Sequence, residues 1–158
     1  MHKKNVQTLV GAIALFALMS IPAAASDTSH DGMAKHDMDK SGHAGKKIHE
    51  ADVDGYHLEF RLIDMKEKIK DMENAPEMED THHLMVYVTN PEGTAVSDAA
   101  AGYLIENPDG TLQKKMAMAM TGGFGADISL DQKGDYAIKV KVLAENKKLT
   151  KSFSYKME

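Results

Sequence analysis

From residue 56 onward, apolar residues recur at every second position, in short runs separated by turn sequences. A period of two places alternate side chains on opposite faces of a strand, so each run predicts a strand with one buried face. Short strands at intervals of about ten residues are typical of an antiparallel all-β domain. The pattern predicts about seven strands, which lie at 56–63, 82–89, 99–106, 114–120, 124–130, 136–142 and 149–155.

The turns between these runs narrow the fold class further. Asn-Pro-Glu-Gly at 90–93 and Asn-Pro-Asp-Gly at 107–110 have the chemistry of tight turns. The sequence D-x-x-G-x-Y at 131–136 fits a tyrosine corner, in which the phenol of Tyr136 would bond back to the backbone. The chain has no cysteine and no tryptophan, which excludes an antibody-type domain. We therefore predict an all-β, antiparallel immunoglobulin-like β-sandwich over residues 51–158.

Residues 1–25 have the features of a secretory signal peptide. Lys3 and Lys4 precede an apolar stretch at 6–21, and three alanines at 23–25 precede Ser26. The alternative is an uncleaved membrane anchor, because the apolar stretch is nearly long enough to span a bilayer. Pro22 and the alanines favour cleavage. We therefore expect an exported protein in the periplasm.

Residues 26–50 contain one branched aliphatic residue and no hydrophobic period, so we expect a disordered tail. Its histidines recur every six or seven residues, with methionines among them: His30, Met33, His36, Met38, His43 and His49. Imidazole binds Cu(II), Ni(II) and Zn(II), and thioethers favour Cu(I). The tail is the first-choice metal site, with copper the expected ion and zinc or nickel not excluded. The alternative is a soluble spacer rich in histidine.

A second group of candidate ligands lies in the predicted domain. His82 and His83 are adjacent in a strand and should point to opposite faces, whereas His83 and Met85 should share one. His57 could approach them if the first two strands are neighbours. A structural role is the more frequent one for any single histidine of this kind.

Met116, Met118 and Met120 alternate with two alanines, so the three thioethers should share one face of a strand. On the inner face they would be adaptable core filler, and on the outer face they would be a row of soft ligands. Because apolar strand residues mostly face the core, we expect the methionines to pack there.

The charged residues 65–80 separate the first two predicted strands. Met65, Ile69 and Met72 have the spacing of one short helix that Pro76 would stop. An irregular loop is the alternative.

Residues 84–156 resemble the YtkA-like domain family. The resemblance rests on an L-x-V-x-V-T strand with a Pro-Glu-Gly turn, the strand at 99–106, the M-A-M-A-M strand with its glycine break, Gly134-Asp135-Tyr136, and a closing strand with Phe153 and Tyr155. It implies an exported, non-enzymatic immunoglobulin-like domain of a kind associated with metal handling or oxidase assembly. The His/Met-rich tail and residues 65–80 are not part of that pattern.

Composition limits the functional classes. A formal net charge of −5 disfavours nucleic acid as a partner. No nucleophile and base in a credible arrangement occurs, so we expect no enzyme. The sequence predicts a monomeric metal-binding accessory protein that captures copper or delivers it to a periplasmic or membrane metalloprotein. The alternative is an interaction module that docks to an envelope or oxidase-assembly complex without metal.

Overall fold

A computed structural model describes residues 42–74 and 77–158 of the chain. The described part is all-β and antiparallel, as predicted, but it has eight strands and one short helix rather than seven strands. The elements are β1 Lys46–Val53, β2 Tyr56–Asp64, α1 Met65–Ile69, β3 His82–Thr89, β4 Ala99–Glu106, β5 Leu112–Met120, β6 Gly123–Ile128, β7 Gly134–Ala144 and β8 Lys147–Met157. Residues 1–41, with the predicted signal peptide, lie outside the described residues.

The strands form one sheet in the order β1-β2-β3-β6-β5-β4-β7-β8. β5 joins its two halves, because its first six residues pair with β4 and its last three pair with β6. The two halves enclose a single apolar core. At the far ends of the sheet, β1 approaches β8, and the His49 ring stacks on Phe153 with centroids 4.4 Å apart. The immunoglobulin-like arrangement of the strands stays a prediction.

The prediction that the tail is disordered up to residue 50 is wrong at its end, where β1 begins. Residues 46–50, expected to be disordered, form the first half of a strand that pairs with β2. Ile48 packs against the core. Arg61 of β2 donates to the backbone carbonyls of His43 at 3.1 Å and Gly45 at 2.7 Å, which fixes the entry into the strand. Backbone pairing and a buried guanidinium therefore order a segment that has little apolar content of its own.

The predicted turns are confirmed. Gly93 and Gly110 have φ of 82° and 83°, and each amide donates to the first residue of its turn at 2.9 Å. The phenol of Tyr136 donates to the Gln132 carbonyl at 3.0 Å and accepts from the Gln132 amide at 2.9 Å. The sequence signature of a tyrosine corner thus corresponds to a real one.

The charged segment after β2 begins with a single helical turn. Asp64 caps α1 by accepting from the Glu67 amide at 3.0 Å, and the helix ends at Ile69. The short helix predicted here is confirmed in its first residues. In the part of the chain that the structure describes, no helix is long and apolar enough to cross a membrane.

The buried His82 and the half-buried His49 indicate how stability depends on pH. Burial lowers the pKa of His49, whose Nε2 has no hydrogen-bond partner, and burial also lowers the pKa of His82. His82 Nδ1 lies 2.7 Å from the Thr81 hydroxyl, and that hydroxyl accepts from the Leu130 amide at 2.8 Å. The surroundings of both rings therefore disfavour the protonated form.

We expect the free energy of unfolding to fall as the pH drops below 6.5, the ordinary histidine pKa. Below pH 6.5 the unfolded chain binds more protons than the folded chain, so acid favours unfolding. The contribution of the two neutral rings to stability is complete only above pH 6.5. Urea titrations at about pH 7.5 and about pH 5 measure the change. His49→Leu and His82→Gln should each reduce it, and an unchanged pH dependence in both would contradict this assignment.

Candidate metal centre

The prediction that the strand methionines pack in the core is wrong. Met116, Met118 and Met120 lie on the outer face of β5 and are 74%, 69% and 48% exposed. Ala117 faces inward, opposite the buried Ala101 of β4. At this position of β5 the small side chain of Ala117 therefore packs against the core. The three thioethers are left on the surface.

Each of these methionines lies opposite a glycine of a neighbouring strand. Met116 pairs with Gly102, Met118 with Gly125 and Met120 with Gly123. At each of these three positions, the residue opposite the methionine therefore has no side chain. The glycines thus leave room around the sulfur atoms for other groups.

One of these spaces holds a cluster of soft donors. The side chains of His83 and Met85, both on the outer face of β3, extend over Gly125 of β6, so closely that a β-carbon there would overlap His83 Nε2 and Met85 Sδ. Met120 approaches from the other side, and its Sδ lies 3.1 Å from His83 Nε2. His83, Met85 and Met120, hereafter the His/Met cluster, bring one imidazole and two thioethers together.

Asp127 orients the imidazole of this cluster. Its carboxylate lies 2.6 Å from His83 Nδ1, across the β3–β6 pair. When Nδ1 carries the proton of this hydrogen bond, Nε2 presents its lone pair to the Met120 sulfur. Histidines that ligate metals commonly donate their other ring N–H to a carboxylate in this way. Two thioethers and a neutral imidazole are donors that suit Cu(I).

A second group of donors lies on the outer face of β1 and β2. Ligand atoms of Glu50, His57 and Glu59 all lie within 4.8 Å of one another. The carboxylates are engaged with cations of the protein, since Lys47 Nζ lies 2.8 Å from Glu50 and Arg61 Nε lies 2.5 Å from Glu59. Burial opposes ionisation of Glu59, but its hydrogen bonds with Arg61 and His43 lower its pKa overall. A metal ion there would have to compete with these ion pairs.

The structure separates the two tail histidines that it describes. His43 stacks on Tyr87 with centroids 3.7 Å apart, on the outer face of β3, and its Nδ1 lies 3.0 Å from Glu59. His49 packs on the opposite side, between Phe60 and Phe153. These two residues cannot share an ion. The other tail candidates, His30, Met33, His36 and Met38, lie outside the described residues.

The domain candidates divide between the two faces of the sheet. His82 and His83 point to opposite faces and His83 and Met85 share one, as predicted; the structure adds that His82, 5% exposed, points into the core. His57 pairs with Thr89 at the other end of β2, so it does not approach the His/Met cluster. The roles of Gly125 and Asp127 were not foreseen, because they depend on the pairing of β3 with β6.

Comparisons with known proteins place the fold. No family model and no curated protein matches this chain, so the YtkA-like resemblance stays a prediction. Among solved structures, the chain is similar in fold to several small proteins. FetP of uropathogenic Escherichia coli, which was expressed in the periplasm, is 17% identical with a TM-score of 0.54, covering 70% of this chain and 93% of FetP.

Two further structures show the same fold. A copper-bound variant of Campylobacter jejuni P19 is 15% identical with a TM-score of 0.51, covering 70% of this chain and 95% of P19. A DUF4426 family protein from Pseudomonas aeruginosa is 13% identical with a TM-score of 0.54, covering 70% and 96%. At these identities the similarity establishes the fold and leaves the ligands of this chain to be argued from its own residues.

Proposed function

We propose that this chain is an exported periplasmic copper-binding accessory protein, which captures Cu(I) or delivers it to another protein. The observation that carries the proposal is that His83 Nε2 and Met85 Sδ meet over Gly125 and that Met120 Sδ lies 3.1 Å from the same His83 nitrogen. Met85 is 4% exposed and Met120 is 48% exposed. The cluster therefore combines a buried anchor with an accessible ligand, which suits an ion that is bound and later released.

Copper is favoured over other metals by the type of donor. Zinc sites are built from thiolate, imidazole and carboxylate, whereas thioethers are soft ligands that select Cu(I). The copper-bound state of P19, which shares the fold, supports the same choice. The ion pairs around Glu50 and Glu59 make the carboxylate group the weaker candidate.

The tail is proposed as a second, weaker site. Its composition predicts a disordered segment, which would lose conformational entropy on binding an ion, so its affinity should be modest. The tail would then supply exchangeable copper to the domain, with His30, Met33, His36 and Met38 as ligands. His43 and His49 are left out of this set because both pack against the domain.

Two chains test how copper is divided between domain and tail. One begins at Ser26 and the other at Gly42, which retains β1 and the His43 and Gly45 carbonyls that Arg61 contacts. We expect the shorter chain to bind one Cu(I) against a competing chelator, and the longer chain to bind further copper more weakly. Circular dichroism of both chains controls for folding. If the shorter chain is folded and binds no copper at micromolar concentration, the domain site is wrong.

A further inference from the structure

A groove runs over the outer face of β4, β5 and β7, next to the methionine row formed by Met116, Met118 and Met120 on β5. Gly102 forms its floor between Met116 of β5 and Lys141 of β7. Two residues further along β4 on the same face, Leu104 lies between Lys114 and Lys139. The groove has a volume of about 530 Å³, and Leu143, 51% exposed, lies at its other end.

The charge of this groove is opposite to that of the whole chain. The chain has a formal net charge of −5, yet the charged residues lining the groove are all lysines: Lys114, Lys115, Lys139 and Lys141. Lys115 pairs with Asp80 at 2.7 Å. The other three form no ion pair with a carboxylate in residues 42–74 and 77–158. An apolar floor is thus surrounded by uncompensated positive charge.

We propose that this groove docks an acidic protein partner, which inserts an apolar side chain over Gly102 and places carboxylates against Lys114, Lys139 and Lys141. Charge complementarity selects the acidic partner. The concave floor favours a protein over a lipid surface, because a plane of headgroups would contact the lysine tips and leave the floor unfilled.

The position of the groove gives docking a consequence for copper, which rests on the proposed function. Met116 forms one wall of the groove, and Met118 lies between it and Met120 on the same face of β5. Successive thioethers on one face of a strand are about 7 Å apart. A docked partner would therefore meet the end of a methionine row that begins at the His/Met cluster.

Docking is tested without metal, on the chain that begins at Ser26. The probe is a fluorescein-labelled synthetic peptide with one leucine flanked by glutamates, in low-salt buffer. Fluorescence anisotropy of the label measures the affinity. In NMR spectra of the protein, we expect the unlabelled peptide to change the amide chemical shifts only of residues around Gly102, Leu104 and Leu143. The Lys139→Glu/Lys141→Glu variant should bind at least about tenfold more weakly. Lys66→Glu/Lys133→Glu, which changes the net charge equally away from the groove, should bind like the wild type.

Several results would overturn the proposal. The first two are chemical-shift changes outside the groove and the absence of any change. The others are an equal loss of peptide binding in both charge variants, and equally strong binding of a peptide in which glutamine replaces glutamate. Binding of phosphatidylglycerol vesicles but not of the peptide would assign the lysines to a membrane surface instead. Met85→Leu/Met120→Leu should bind the peptide normally, so failure of docking and failure of copper binding are distinguishable.

Discussion

Replacing Gly125 with alanine is expected to abolish tight copper binding while the domain stays folded. The added β-carbon would overlap His83 Nε2 and Met85 Sδ, so both side chains would have to leave the position over β6. Gly125 does not have a positive φ, and alanine at that position imposes no backbone strain. Disturbing the residues that orient metal ligands typically lowers affinity by about 10- to 100-fold, and displacement of two ligands should cost at least that.

Gly102→Ala is the matched control for this substitution. Gly102 is also a strand glycine opposite a methionine, but a β-carbon there would lie 3.4 Å from Met116 Sδ, an ordinary contact. We expect its Cu(I) affinity to equal that of the wild type in a chelator competition, with circular dichroism confirming that both variants fold. Wild-type affinity in Gly125→Ala would contradict the site.

The largest expected effect on stability is that of Arg61→Leu. Arg61 is 1% exposed, and its guanidinium bonds to Glu59 and to the carbonyls of His43 and Gly45. Its removal leaves a half-buried carboxylate and two backbone acceptors without these partners. Loss of one member of a buried ion pair typically costs about 3–5 kcal/mol. We expect a loss of that order in the free energy of unfolding, measured by urea titration.

Arg61→Lys separates the charge of this residue from its geometry. Lysine keeps the positive charge near Glu59 but cannot present the planar fork that also reaches both carbonyls. It should therefore recover only part of the stability. Proteolysis should cleave near Gly42 and Gly45 faster in both variants, because Arg61 holds that segment. A loss below about 1 kcal/mol in Arg61→Leu would show that the pair contributes little, like a surface salt bridge.

Most of the sheet could be predicted because each strand after residue 55 has its own period of two and its own turn. β1 could not be predicted in this way. Its residues have little hydrophobic pattern, and their order depends on pairing with β2 and on hydrogen bonds from Arg61, sixteen or more residues away in sequence. A strand held by its neighbours has no local signal of its own.

The site was predictable only within single strands. The shared face of His83 and Met85 follows from their spacing, which the structure bears out. The contact of His83 with Met120 crosses from β3 over β6 to β5, and spacing does not reveal such pairings. The expectation that apolar residues face the core failed for the methionines, because Ala117 takes the inward position beside Ala101 and the alternation of the strand leaves the thioethers outside.

The most direct test is X-ray absorption of Cu(I) bound to the chain that begins at Gly42. We predict a first shell with two sulfur ligands and one nitrogen ligand, lost in His83→Gln/Met85→Leu/Met120→Leu. Met116→Leu, which changes the exposed methionine of the same row that lies opposite Gly102, should leave this shell intact. A shell of nitrogen and oxygen ligands, or an unchanged sulfur shell in the triple variant, would contradict the assignment of copper to the His/Met cluster.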